Sequence, residues 1–144
     1  MLDICNSFAL EHDLIFNSKT SLAIKYGEGV FDNEAVYLGE NRIIWVDSVR
    51  HLGNFINSDL TDATDCRMKC SSFIGSVNKL RAQFGHLQPN IKGKLFNSYC
   101  CSFYGSPLWD FNSSSFKKVT TTWNIGVRTI LDLPTKTHAA FFKC

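Results

Sequence analysis

Residues 60–84 read LTDATDCRMKCSSFIGSVNKLRAQF, and the fold turns on this stretch. Before it, apolar residues alternate or gather in short runs broken by Gly and Asn. From Leu60 they recur at the three-to-four spacing of a helix: Cys66, Cys70, Phe73, Ile74, Val77, Leu80 and Phe84. Thr61 or Asp62 stands where a side chain can cap the first turn. Gly85-His86 stands where a helix commonly ends. The period change divides the chain into a 1–60 segment and a 61–144 segment.

Downstream, Pro89 suits the first position of a second helix, with Ile91, Leu95, Phe96, Tyr99, Cys100 and Phe103 facing inward. Gly105-Ser106-Pro107 stops it. The Asn112-Ser113-Ser114-Ser115 run is a turn and a source of caps for a third helix, from about Ser114 to Leu131. Its apolar face is Phe116, Val119, Trp123, Val127, Ile130 and Leu131, and Pro134 lies beyond its end.

Upstream, Leu2, Cys5, Phe8 and Ala9 predict a helix over Met1–His12. Leu14–Asn17 and Ser21–Tyr26 read as short strands around a Ser-Lys-Thr turn, and Gly27-Glu28-Gly29 breaks the pattern. Ala35–Leu38 and Arg42–Val46 form a hairpin around Gly39-Glu40-Asn41. Val49–Ile56 reads as one further strand interrupted by Gly53, a place where another backbone can approach closely. The fold class is therefore α+β: an N-terminal helix and small antiparallel sheet, then a helical bundle.

With 44% hydrophobic and 19% charged residues over 144 positions, the chain has the composition of a globular domain. No apolar run approaches the ~20 residues of a membrane span. Asp3 and Glu11 do not fit a secretory leader, so an intracellular chain is expected. The net charge of +2 conceals a division. Residues 1–60 carry four Lys/Arg against nine Asp/Glu, and residues 61–144 carry eleven against four, or −5 and +7. Such an asymmetry points to an anionic partner for the second segment, or to a solvated basic surface.

Six cysteines contain no Cys-x-x-Cys pair, so no metal site is expected; Cys66 and Cys70 fit a helix's apolar face instead. The sequence has no Gly-x-Ser-x-Gly elbow, P-loop, His-Glu-x-x-His or dinucleotide fingerprint. His12, His51, His86 and His138 stand far apart and read as surface or packing residues. Asp59, Asp62 and Asp65 precede and open a helix, where carboxylates complement the macrodipole.

What remains is an order of short motifs. Leu14, Asn17, Lys19 and Thr20 are followed by Arg50-His51-Leu52-Gly53 and then by a basic helical tail. This order resembles the region downstream of the catalytic aspartates in reverse transcriptases of non-LTR (LINE-type) retrotransposons. In that family motif D has the form Leu-x-x-Asn-x-x-Lys-Thr; here the Lys follows Asn by two positions rather than three. The resemblance implies that Lys19, in a complete enzyme, lies near the incoming nucleotide and protonates the leaving pyrophosphate, a task suited to a cation in a water-poor site. It implies that Arg50, His51, Leu52 and Gly53 form the primer-grip hairpin, where the strand returns beneath the primer end and Gly lets the backbone approach the primer. It implies a thumb in which Arg67, Lys69, Lys79, Arg81, Lys92 and Lys94 meet duplex phosphates, setting affinity without reading sequence.

The family's Tyr/Phe-x-Asp-Asp box is not in this sequence and would stand upstream of Met1. The chain is thus expected to comprise the palm's C-terminal edge and the thumb, with no cofactor of its own, since magnesium belongs to the part carrying the Asp-Asp box. Whether it has any enzymatic activity is left open; the expected partner is an RNA or DNA template–primer duplex, weakly bound. Two other readings stand beside this one. An exposed palm surface would self-associate or meet a partner protein, or the chain is a retroelement remnant without function.

Overall fold

In the computed structural model, residues 2–27 and 35–137 are described; Glu28-Gly29 of the expected break, together with His138 and Cys144, lie outside them. The chain is mixed α+β and divides into two compact units, Met1–Thr61 and Asp62–Cys144.

The first unit begins with helix α1 (Leu2–Glu11), of which Ala9 is buried while Leu2 and Phe8 stay largely exposed. Ala9 also receives the Leu14 N–H on its carbonyl, 2.8 Å away, which turns the chain at the helix end. Leu14–Asn17 is irregular rather than a strand. The reason lies in the Asn17 carbonyl, which accepts from Thr20 N at 3.2 Å, Ser21 N at 3.1 Å and Ser21 Oγ at 2.9 Å. Local hydrogen bonds of this kind compete with sheet pairing for the backbone.

Strands β1 (Leu22–Ile24), β2 (Val36–Leu38) and β3 (Asn41–Val46) form a sheet in the order β1-β3-β2. The β2–β3 hairpin pairs Leu38 with Asn41 around Gly39-Glu40, with Gly39 at φ +63°. Leu38 and Ile43 fill the inner face, while Ile44 points out, following the two-residue period of a strand. The first strand, β1, joins β3 in parallel, Leu22 opposite Ile44. A parallel partner requires a long return connection, and no short-range sequence pattern announces it.

Residues 48–57 are not the single interrupted strand that their own pattern suggests; a hairpin stands there, as the resemblance implies. They form a hairpin of β4 (Ser48–His51) and β5 (Asn54–Asn57), in which His51 pairs with Asn54 across Leu52-Gly53. Both turn residues have positive φ, +47° and +83°. That is the demand of a type I′ turn, whose twist matches the flanking strands. Gly53 therefore reverses the chain instead of interrupting a strand.

In the second unit, helices α2 (Ala63–Phe84), α3 (Pro89–Tyr99) and α4 (Ser114–Ile130) follow the predicted order. Ser113 caps α4, its Oγ accepting from Phe116 N at 3.1 Å. Asp62 occupies the N-cap position of α2, but its carboxylate accepts from Asp110 N at 2.7 Å and not from the helix. At the other end the helix stops at Gly85 as expected, with Gly85 right-handed at φ −59° and its N–H donating to the Arg81 carbonyl.

Helices α2 and α4 run parallel: Cys66 packs with Val119 near their beginnings, and Phe73 and Val77 meet Gly126 further along. Phe73, Val77, Leu80, Phe96, Val127 and Ile130 make the main core, with Trp123 stacked on Phe73 at 5.5 Å between ring centroids. On α3 the inward face is narrower than the apolar pattern implies. Ile91 and Tyr99 are exposed, the helix ends before Phe103, and Lys92 takes an interior place.

Gly126 is the closest approach. A Cβ there would lie 2.4 and 2.5 Å from ring carbons of Phe73. Gly126→Ala is expected to destabilise the chain by about 1–3 kcal/mol through overpacking. A urea unfolding series checks this, and adding Phe73→Leu, which removes the clashing ring edge, should make the alanine less damaging than in the wild-type background.

Candidate nucleic-acid interface

The residues singled out from the sequence fall in both units. Lys19 is exposed in the tight turn that the Asn17 carbonyl gathers, just before β1. Arg50 and His51 are exposed on β4, and Leu52-Gly53 forms the hairpin tip. Among the described residues no hydrogen bond or ion pair joins Lys19 to residues 50–53. The tip is unusual in one respect. Leu52 holds a left-handed backbone while its side chain is 75% exposed, so neither local preference nor burial accounts for a leucine there.

The basic residues of the second unit divide into two groups. Four are engaged internally. Lys69 donates to the Tyr104 carbonyl, lies 3.6 Å from Asp65 and faces the Tyr104 ring. Arg128 grips the Thr137 carbonyl through Nε and Nη2 at 3.0 and 2.8 Å. Arg81 reaches Asp132 at 3.3 Å. Lys92 corrects the sequence reading most sharply: it is only 4% exposed, and its ammonium donates to Asp132 Oδ2 at 2.7 Å and to the Gly85 carbonyl at 3.4 Å. It is a packing cation that ties α3 to the end of α4, unable to meet a phosphate without leaving Asp132 behind.

The second group is free. Arg67, Lys79, Lys94, Lys117, Lys118 and Lys136 are exposed and have no ion pair among the described residues. Lys117 and Lys118 are not in the set drawn from the sequence. Their adjacency on the polar face of α4 was visible; that α4 lies beside α2 with Lys118 across from Arg67 depends on packing between residues some fifty positions apart, beyond short-range pattern.

The carboxylates of this unit explain the imbalance. Asp65 is buried and accepts the Trp109 indole N–H at 2.8 Å, a bond that holds Trp109 against Cys66 and Val119. Asp62 receives Asp110 N, and Asp110 receives Asn112 N at 2.9 Å. Asp132 binds Lys92 and Arg81. Each of the four acidic side chains after residue 61 therefore serves the fold.

Ionisation follows from these surroundings. The Lys92 hydrogen bond, then its charge, and then Arg81 hold the Asp132 carboxyl below the ordinary carboxylate range. Two hydrogen bonds from Thr61 lower Asp59 likewise. Burial, assisted by Asp62, Asp65 and Cys70, pushes the Cys66 thiol up to about 11, and burial raises Cys100. These thiols are protonated packing groups at neutral pH. Cys5, Cys66, Cys70 and Cys100 are in no disulfide, and no three His, Cys, Asp or Glu among the described residues gather as a metal site. Nor is any helix among them long and apolar enough to cross a membrane.

No protein family, no curated protein and no solved structure matches this chain.

Two outcomes are expected from single substitutions. A lowered folded-state pKa at Asp132 means a contribution present above the unfolded carboxylate value and lost as pH falls through the lowered one. Asp132→Asn should therefore weaken the chain at neutral pH, and its deficit against wild type should shrink below about pH 4, as thermal melts across pH will read. Leu52→Asn places a residue favoured by the I′ turn and should raise stability by about 1 kcal/mol; an unchanged or lowered melting temperature would mean that Leu52 is held by contacts outside the turn.

Proposed function

We propose that this chain is the nucleic-acid-gripping part of a reverse transcriptase of non-LTR retrotransposon type, its first unit corresponding to the edge of the palm and its second to the thumb. The observation that carries the reading is the charge arrangement of the second unit. Every carboxylate there is tied into the fold, while Arg67, Lys79, Lys94, Lys117 and Lys118 remain outward and unpaired among the described residues. Cations without acidic neighbours are what a polyphosphate backbone needs, because each contact releases condensed counterions.

The hairpin tip supports the same reading. A leucine kept at positive φ and left in water suggests a local cost tolerated for contact with something else. In the proposed enzyme that partner is the primer end, approached by the Leu52-Gly53 backbone. Lys19 takes the motif D position, on a turn whose shape the Asn17 carbonyl fixes. In the proposed enzyme magnesium belongs to the part that carries the Asp-Asp box, which is not in this sequence. On this reading the present residues contribute grip on the duplex.

Binding to a labelled RNA–DNA hybrid tests the proposal. With about four phosphate contacts, raising salt from about 50 to about 200 mM should weaken binding about a hundredfold. Lys79→Gln with Lys94→Gln should flatten that salt dependence, whereas binding that ignores salt, or no binding at low salt, contradicts it.

A second reading rests on a different observation. Ile15 is 96% exposed, and Ile4, Leu10 and Ile44 are also largely in water. Apolar surface of this kind favours association with another chain. Sedimentation of the purified chain separates the two: a monomer that binds hybrid supports the first reading, and a stable oligomer indifferent to hybrid supports the second.

A further inference from the structure

The parallel course of α2 and α4 leaves a groove of about 430 Å³ between their first halves. Thr64, Arg67 and Ser71 line it from α2, a helical stripe at steps of three and four; Ser115, Lys118 and Thr122 line it from α4 in the same way. Two cations thus face one hollow among hydroxyls, with Ala63, Cys66 and Cys70 completing its wall, and no carboxylate lines it. Asp62 and Asp65, the nearest acids in sequence, are committed to Asp110 N and the Trp109 indole. Because the helices are parallel, the first turns of both, Ala63-Thr64 and Ser115, open on the same hollow. Each helix start carries roughly half a positive charge, so the two dipoles add to the two side-chain cations.

We propose that this groove is a seat for a phosphoryl anion, held by Arg67 and Lys118 and by hydroxyl donors of Thr64, Ser71 and Ser115. The guanidinium suits two-point contact with phosphate oxygens, and the ammonium supplies a point charge from the facing wall. The hollow's size admits one or two phosphates and is too open to enclose a base. Under the function proposed above, on which this source depends, the anion is a backbone phosphate of the bound duplex. The seat then fixes where the duplex lies along α2 and α4. Free pyrophosphate has the same chemistry and would enter the same place.

The full chain and its Arg67→Gln/Lys118→Gln variant decide the matter, with Arg67→Lys/Lys118→Arg as the charge-preserving control. Both positions are exposed, and circular dichroism verifies that the variants fold. In hybrid binding across a salt series, the Gln pair should lower the slope of log affinity against log salt by about 1.8, two contacts' worth, and the control should keep it. An unchanged slope in the Gln pair, with wild type binding normally, overturns the seat. Should wild type bind no hybrid, the proposed function falls, and inorganic pyrophosphate titrated into the nitrogen-15-labelled chain judges the groove separately. Shifts of the Thr64 and Ser115 amides that vanish in the Gln pair support a phosphoryl seat; no such shifts overturn it.

Discussion

The second unit depends on the missing side chain at Gly126. Without a Cβ there, the Phe73 ring can lie against the α4 backbone, and Val77 and Trp123 complete the packing around it. A larger residue would force the helices apart or tilt them. Everything that matters on the surface inherits this contact: the parallel course of α2 and α4, the placement of Lys118 opposite Arg67, and the reach of Arg81 to Asp132 at the far ends. Apolar burial supplies the drive for such packing, but one glycine sets the distance at which it acts.

Around that contact, polar groups lock the periphery. Asp65 holds Trp109 from below, which fixes the irregular stretch between α3 and α4. Asp132 gathers Lys92 and Arg81, joining the end of α4 to α3 and α2. Using acids in this way has an electrostatic consequence. The four carboxylates are engaged within the unit, Asp65 buried and Asp110 and Asp132 at the surface, and none of them pairs with Arg67, Lys79, Lys94, Lys117 or Lys118. Structure and proposed function are linked through that bookkeeping of charge, not through any catalytic group.

Sequence patterns revealed much of this architecture. The helices were legible because their apolar stripes are long: Phe73, Val77 and Leu80 on α2, and Val119, Val127 and Ile130 on α4, are buried as their spacing implies. Ser113 was readable as a cap because its chemistry is local. What stayed hidden was non-local. The parallel pairing of β1 with β3 joins residues separated by a long connection. The burial of Lys92 needs Asp132, forty positions away. The groove needs α2 and α4 side by side, and single-helix patterns treat Arg67 and Lys118 as unrelated surface charges. At Leu52-Gly53 the local pattern alone reads as an interrupted strand, because leucine disfavours the left-handed conformation it adopts; a hairpin there is implied only by the resemblance.

The central claim is that the unpaired cations of the second unit meet the phosphates of a bound duplex. Lysine footprinting of the full chain, read by mass spectrometry with and without saturating RNA–DNA hybrid, addresses it residue by residue. The account predicts protection of Lys79, Lys94, Lys117 and Lys118, with the buried Lys92 slow to react in both states. Equal reactivity of those four lysines with and without hybrid would contradict it.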